Sequence, residues 1–270
     1  MATPRVAILI VAYNSERYIV QTLRNCAAQT YSNLEIVVLD NASTDGTVNA
    51  IQSITDPKIR LLKSPDNLGP YAGLNFLLDR VEADYIAIQD HDDLWLPDKI
   101  RQQVDFLETH HDHIACGTRA WYFHEQEKLL MLTDNYSING YPDHTSLLFR
   151  NQGFRYEPQR SLPDEYFQAQ TLRHKGLIGC IPDGLSIHRI RGDRGNLSSL
   201  RSRWNFSGAW EHLRNTKYRD ILGTMSMLVA TVLPRRFIWW SRRQVTYRKL
   251  PWLSQSAFEA KFGFRLSDEN

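Results

Sequence analysis

The 270-residue chain is poor in cysteine, with only Cys26, Cys116 and Cys180, far apart and in no C-x-x-C spacing. That excludes a disulfide framework and points to a reducing compartment. No apolar run reaches the roughly 18 residues of a membrane span. The segment 1–5 is too short a charged region to open a secretory leader, and no A-x-A site follows the first apolar run. A cytoplasmic setting is the expectation, and there the N-x-S/T sequons at Asn41, Asn135, Asn196 and Asn205 are chance matches. Two phosphate-binding signatures are also missing: no G-x-G-x-x-G follows the first strand-like run, and no G-x-x-x-x-G-K-[ST] occurs anywhere. Dinucleotide redox chemistry and P-loop hydrolysis are thereby disfavoured.

What is present is enough apolar residue for a sizeable core, 42%, in a length that suits one large α/β domain or a domain with an appendage. The net charge of +2 is unevenly spread. Residues 201–249 carry eleven Lys or Arg against Glu211 and Asp220, an excess of nine positive charges, and residues 250–270 carry a net −1, so residues 1–200 hold −6. An acidic body with a basic distal segment suits a metal-centred site beside an anionic surface.

The acidic character converges on residues 86–99, IAIQDHDDLWLPDK. An apolar run, Tyr85 to Ile88, stops at Asp90, Asp92 and Asp93, and a helical pattern opens at Pro97. The acids therefore sit at the carboxyl end of a buried strand, the edge where open α/β sheets bind ligands. Clustered carboxylates repel one another, and a hard cation such as Mg²⁺ or Mn²⁺ relieves the repulsion while sharing substrate phosphates. A bare D-x-D also fits a solvated, helix-capping loop.

Strand and helix patterns alternate through the first hundred residues. Residues 5–13 (RVAILIVAY) and 34–39 read as buried parallel strands, the second ending on Asp40, with a short third strand at 58–62. Residues 15–29, 48–54, 71–81 and 97–110 read as helices, with Asp45 in a cap. This predicts right-handed βαβ units in a doubly wound, mostly parallel sheet. Further on, 114–123 and 145–149 read as strands, 125–144 as turn-rich, 164–175 as helical, and 177–181 and 185–190 as short strands. Helices are expected at 199–214 and 218–233.

Taken together, VAYN at 11–14, VLDNASTDGT at 38–47, NLGPYAGLN at 67–75, QDHDDLWLPDKI at 89–100 and DEYF at 164–167 resemble the inverting glycosyltransferases of family 2. The resemblance covers roughly residues 4–200 and implies the GT-A fold, a Rossmann-like, mostly parallel sheet flanked by helices. It divides the chain into a catalytic domain, 1–200, with a nucleotide-sugar half at 1–112 and an acceptor half at 113–200, and a basic, Trp-rich helical extension at 201–270.

The resemblance implies a UDP-, dTDP- or GDP-sugar donor, a Mg²⁺ or Mn²⁺ cofactor and a glycan or lipid-linked acceptor in surface-polysaccharide synthesis. It places Ala12, Tyr13 and Asn14 at the nucleotide, with Tyr13 against the base, Asp40 bonding the base and Asn67 lining the pocket. Asp90 faces the ribose and the metal's water shell, Asp92 ligates the metal, and Asp93 completes the donor site. The late acidic pair supplies the base. It reads Asp164-Glu165 where the family usually has Glu-Asp, and counting back from Gly176 puts Glu165 at the base position, with Asp164 as the alternative. In HRIRGDRGNLS, Arg191 stands where many relatives place a metal-binding His, with His188 three residues earlier. Arg191 suits direct diphosphate binding, and His188 is a further candidate metal ligand.

The distal segment 221–249 begins with thirteen largely apolar residues and continues PRRFIWWSRR. Trp239 and Trp240 among Arg235, Arg236, Arg242 and Arg243 suit either an interfacial membrane anchor on the inner face or a helical pair packed on the catalytic domain. Nucleic acid is not an expected partner, since no recognised nucleic-acid-binding fold accompanies the basic residues. Two rival functions stay open: a nucleotidyltransferase acting on sugar phosphates and a catalytically inactive scaffold of the same fold.

Overall fold

In the computed structural model, the structure describes residues 3–133, 141–160, 162–191 and 251–266, together with Trp210, Leu213 and Arg214. The first half runs β1 (Val6–Ala12), α1 (Ile19–Ala27), β2 (Leu34–Asn41), α2 (Thr47–Gln52), β3 (Ile59–Ser64), α3 (Pro70–Leu78), β4 (Tyr85–Asp90), β5 (Leu94–Trp95) and α4 (Lys99–Thr109). The second half runs β6 (His113–His124), β7 (Leu129–Leu132), a 3₁₀ turn (His144–Ser146), β8 (Leu148–Arg150), α5 (Pro163–Tyr166), a π-helical turn (Phe167–Leu172) and β9 (Leu177–Ile190). β10 (Trp252–Ser254) and α6 (Gln255–Phe262) follow.

β1 is the centre of the parallel half because its side chains are apolar on both faces. Val6, Ile8, Ile10 and Ala12 point to the side covered by α1, α2 and α4, while Ala7 and Leu9 point to α3. Each fully buried Leu or Ile here contributes about 1.5–3 kcal/mol. α3 lies close on the sheet at Gly73, where an added Cβ would come within 2.9 Å of Val11. Its start is set by Pro70 at the first turn and by Gly69, whose φ of 79° is in the region that favours glycine.

β1 pairs in parallel with β2 on one side and β4 on the other, with Ala12 opposite Asp40 and Val11 opposite Asp90. The chain moves outward through β2 and β3, then returns across β1 to β4, so the strand order reverses there. Crevices at such a reversal bind ligands. Beyond β4 the sheet turns antiparallel through β8, β6, β7 and β10, and β9 runs parallel to β6 over nearly its whole length.

The α/β expectation holds, with four local differences. Residues 177–181 and 185–190 form one long strand, because irregularities opposite Thr118–Ala120 let β9 bend without breaking. The helix expected over 164–175 is one α-turn followed by a π-turn, and the strand expected from 145 starts at Leu148, after the 3₁₀ turn. The turn-rich stretch after 124 contains β7, and β10 pairs antiparallel with it. Phe258 of α6 is fully buried against Trp121, so the end of the chain packs on the catalytic sheet. Of the helix expected at 199–214 only Trp210, Leu213 and Arg214 are described; residues 218–249 lie outside the described residues.

Candidate functional site

A cavity of about 540 Å³ opens at the carboxyl ends of β1 and β4. Its floor is the acidic loop after β4, and that loop is held from several sides. β5 pairs antiparallel with β9, Leu94 opposite Ile187 and Trp95 opposite Ser186. Asn25 of α1 exchanges two hydrogen bonds with the Trp95 backbone, at 2.8 and 2.7 Å. Thr22 donates to the carbonyls of His91 and Asp93, and Gln89 donates to the carbonyl of Asp93. The three acids therefore stand on a pre-organised backbone.

Their environments differ. Asp93 is buried, its Oδ2 accepting from His188 Nδ1 at 2.7 Å and its Oδ1 from the Arg189 amide at 2.8 Å. Burial works against its charge, but His188 and these hydrogen bonds outweigh burial and hold its pKa below the usual carboxylate range. Burial likewise opposes the charge on His188, yet Asp93, helped by Asp143 and Asp90, lifts the imidazole to about 10. Asp92 is paired with Arg191, Oδ2 to Nε at 3.0 Å. Asp90 opens onto the cleft, but lies deep enough that desolvation, followed by the charges of Asp93 and Asp92, raises its pKa to about 7.

Asp90, Asp93 and His188 each offer a ligand atom within 4.8 Å of the others. The donor set fits a hard or borderline divalent cation, with carboxylate oxygens and one imidazole. Desolvation does most to raise the Asp90 pKa, and the neighbouring charges of Asp93 and Asp92 that add to it are what such an ion would neutralise. His188 would ligate in its deprotonated form.

Arg189, 4% exposed, braces the loop from behind. It donates to the Asp92 carbonyl at 2.9 Å and to Gln21 at 2.8 Å, and pairs with Glu125 at 3.0 Å. Tyr18 closes the network through its hydroxyl on Glu125.

Of the residues singled out in the sequence, Tyr13, Asn14, Asn67, Asp90, Asp92, Asp164, His188 and Arg191 line the cavity. Asn14 has a φ of 47°, a conformation Asn tolerates, and its side chain accepts from the Thr44 amide at 2.8 Å. Asn67 accepts from Asn41 and from the Gly69 amide. Ala12, Asp40, Asp93 and Glu165 are all buried and do not line the cavity. Asp40 instead accepts from the Ser43 amide at 3.3 Å and closes its own loop, and Asp45 accepts from the Thr47 amide as a capping residue would.

The late acidic pair separates in the way helix geometry requires. Neighbours on a helix diverge by about 100°, and it is Asp164 that lines the cavity, its charge reaching Asp90 and Tyr156. Glu165 places its charge on Tyr141. The count from Gly176 aligns Glu165 with the family's base position, while in the structure Asp164 is the member of the pair that lines the cavity. Sequence reasoning missed Tyr122, Asp143 and His144, which come from β6 and the 3₁₀ turn. Asp143 accepts from the Tyr122 hydroxyl at 3.1 Å, and His144 Nε2 lies 2.8 Å from the Tyr156 hydroxyl. Only the pairing of β6 with β9 brings them to the cleft, and no local pattern signals it.

A doubly wound sheet with an acidic, cation-fitting cleft at its strand-order reversal places the chain among α/β proteins that bind their ligands at the carboxyl edge of the sheet. Residues 7–173, more than half of the chain, match glycosyl transferase family 2, and the chain belongs to that family. It is 32% identical over 154 residues to an uncharacterized glycosyltransferase of Haemophilus influenzae, covering 56% of this chain and 60% of that protein. It is 38% identical over 104 residues to the Escherichia coli UDP-Glc:alpha-D-GlcNAc-diphosphoundecaprenol beta-1,3-glucosyltransferase WfaP, covering 38% and 41%. The matches thus span about half the length of these relatives. The mannosyltransferase PcManGT of Pyrobaculum calidifontis, solved with GDP-Man and Mn²⁺, superposes with a TM-score of 0.66 at 17% identity, covering 92% of this chain and 82% of that one. The fold is of the GT-A type. Among the described residues, no helix is long and apolar enough to cross a membrane.

Proposed function

We propose that the protein transfers a sugar from a nucleoside-diphosphate donor to a hydroxyl of a glycan or lipid-linked acceptor, with inversion, in surface-polysaccharide assembly. The observation that carries this reading is the meeting of Asp90, His188 and Asp164 around one cleft at the sheet's reversal point, with Asp93 buried behind His188. The name of WfaP supports the donor and acceptor classes, and PcManGT's bound GDP-Man and Mn²⁺ support the donor and the cation.

In this reading Tyr13, Asn14 and Asn67 receive the nucleoside, with Asp40 and Ala12 shaping the loop and strand behind them. Asp90 and His188, with Asp93 or Asp92 as the second carboxylate, would hold Mg²⁺ or Mn²⁺, which would supply charge neutralisation on the leaving diphosphate. Asp93 orients His188, and Arg191 offers the diphosphate a fixed cation. Asp164 takes the proton of the acceptor hydroxyl as its oxygen bonds to the anomeric carbon; the bond from that carbon to phosphate oxygen breaks, and the pair leaves with the nucleoside diphosphate. The centre is oxocarbenium-like on the way, as in glycoside hydrolysis.

The test is donor binding and turnover. UDP-Glc, dTDP-Glc and GDP-Man are scanned by thermal shift with and without Mn²⁺, since a ligand bound only to the native state stabilises it by mass action. At least one donor should raise Tm in a metal-dependent way and release nucleoside diphosphate slowly. Binding without release would favour an inactive scaffold, and pyrophosphate formed from a nucleoside triphosphate and a sugar phosphate would favour a nucleotidyltransferase.

A further inference from the structure

The second acid of the D-x-D sequence already has a cation of its own. Arg191 Nε lies 3.0 Å from Asp92 Oδ2, and the two side chains are only 14% and 10% exposed. The guanidinium also lies over the Tyr18 ring, 5.4 Å from its centroid, and the Tyr18 hydroxyl is anchored on Glu125 at 3.0 Å. The cation is therefore seated between a carboxylate and an aromatic face. The atoms that gather within 4.8 Å as a cation site come from Asp90, Asp93 and His188, not from Asp92.

Two cations in contact with one partly buried carboxylate repel, so a divalent ion gains Asp92 only if Arg191 gives it up. Removing Arg191 with nothing in its place would strand a desolvated charge, which is costly. A diphosphate resolves both problems. Its oxygens match the planar guanidinium fork better than a single carboxylate oxygen does, and both Asp92 and Arg191 line the same cavity.

We propose that Arg191 is a resident counter-ion for Asp92 that is exchanged when the donor arrives: the diphosphate takes the guanidinium, and Asp92 becomes available to the metal. This makes metal and donor binding mutually dependent through one side chain, a coupling that is reciprocal by thermodynamic necessity. It rests on the glycosyl-transfer reading only for the source of the diphosphate.

The test reads binding, not turnover. Mn²⁺ is titrated into the full chain without nucleotide, the free ion being followed by electron paramagnetic resonance. UDP and GDP are titrated separately, by calorimetry, with EDTA present. Arg191→Gln should tighten nucleotide-free Mn²⁺ binding about tenfold and weaken metal-free nucleotide binding about tenfold, the effect of one charge-assisted hydrogen bond. Arg191→Lys keeps the charge and should keep Mn²⁺ binding weak. Asp92→Asn removes the competing carboxylate from the guanidinium and should tighten metal-free nucleotide binding, and that gain should vanish in the Asp92→Asn/Arg191→Gln double variant. Unchanged or weaker Mn²⁺ binding in Arg191→Gln, or a gain that persists in the double variant, overturns the exchange. Should the single glutamine variant fail to fold, the lysine and Asp92→Asn proteins decide: tight nucleotide-free Mn²⁺ binding by the first, or no metal-free nucleotide gain in the second, also overturns it. Failure of UDP, GDP and, titrated in the same way, dTDP to bind any variant, with the Mn²⁺ shifts intact, would refute the glycosyl-transfer reading instead.

Discussion

Asp164 and Glu165 share one helical turn but not one environment. Asp164 lines the cleft with Asp90, while Glu165, 4% exposed, sets its charge against Tyr141. Removing a positioned general base costs a factor of about 10²–10⁴ in rate. Asp164→Asn is therefore expected to lose that factor in kcat at saturating donor, with donor affinity little changed. Glu165→Gln should stay within a few-fold of the parent. The reverse pattern in single-turnover rates would return the base to Glu165.

Arg189 ties β9 to the acidic loop through the Asp92 carbonyl and to Glu125 through an ion pair at 3.0 Å. Arg189→Met keeps much of the volume but leaves Glu125 with the more exposed Arg17, at 3.4 Å, and the Tyr18 hydroxyl, at 3.0 Å. Breaking a buried pair costs about 3–5 kcal/mol, and since Glu125 is 21% exposed the expected loss is about 3 kcal/mol, at the low end of that range. Urea unfolding measures it. Nucleotide-dependent Mn²⁺ affinity should fall as well, because the Asp92–Asp93 backbone loses its brace; a stability loss with metal affinity intact would make Arg189 purely structural.

The parallel half of the fold was legible because each of its signals is local. β1 and β4 are apolar runs that stop at polar residues, and Pro70 marks a helix start. The acidic loop was legible for the same reason. The other side of the cleft was not. Asp143 and His144 reach it only through the pairing of β6 with β8 and β9, and which of Asp164 and Glu165 faces the cleft depends on how their helical turn sits against the sheet, which no residue pattern announces. The ion pair of Arg191 with Asp92 joins residues 99 positions apart, and its strength depends on burial that sequence does not specify.

The basic segment 221–249, with Trp239 and Trp240 among four arginines, suits contact with an anionic membrane surface. Full-length protein should co-sediment with phosphatidylglycerol-containing vesicles at low ionic strength and release as salt screens the attraction. Substituting Arg235, Arg236, Arg242 and Arg243 by Gln should abolish sedimentation while donor binding persists. Sedimentation that survives both high salt and these substitutions would be apolar in origin, and none at low salt would leave the segment as a packed appendage.

Two buried bases titrate in opposite directions, and their difference sets the alkaline stability profile. Lys99 is fully buried in the core, its Nζ 2.7 Å from Gln103 Oε1 and 3.8 Å from the Trp95 ring centroid. Desolvation depresses its pKa to about 7. Between that value and the ordinary lysine range the unfolded chain holds a proton the native chain lacks, so this residue makes stability rise with pH. His188 does the opposite. Burial opposes its charge, but Asp93 raises the native pKa to about 10, so above the ordinary histidine range the native chain holds the extra proton and stability falls with pH. Each contribution is up to about 1.4 kcal/mol per pH unit. From about pH 7.5 to 8.5 the two should nearly cancel in metal-free protein, leaving the decline imposed by Cys26, Cys116 and Cys180, whose thiols burial keeps protonated in the native chain while ordinary thiols begin to ionise in the unfolded one. Denaturant unfolding in chelator should show a gently falling profile for the parent chain, steepening toward pH 8.5 as the unfolded thiols ionise. Lys99→Met should tilt it downward with rising pH and His188→Gln upward. Parallel profiles for all three proteins would show that neither buried base changes its proton on unfolding in this window.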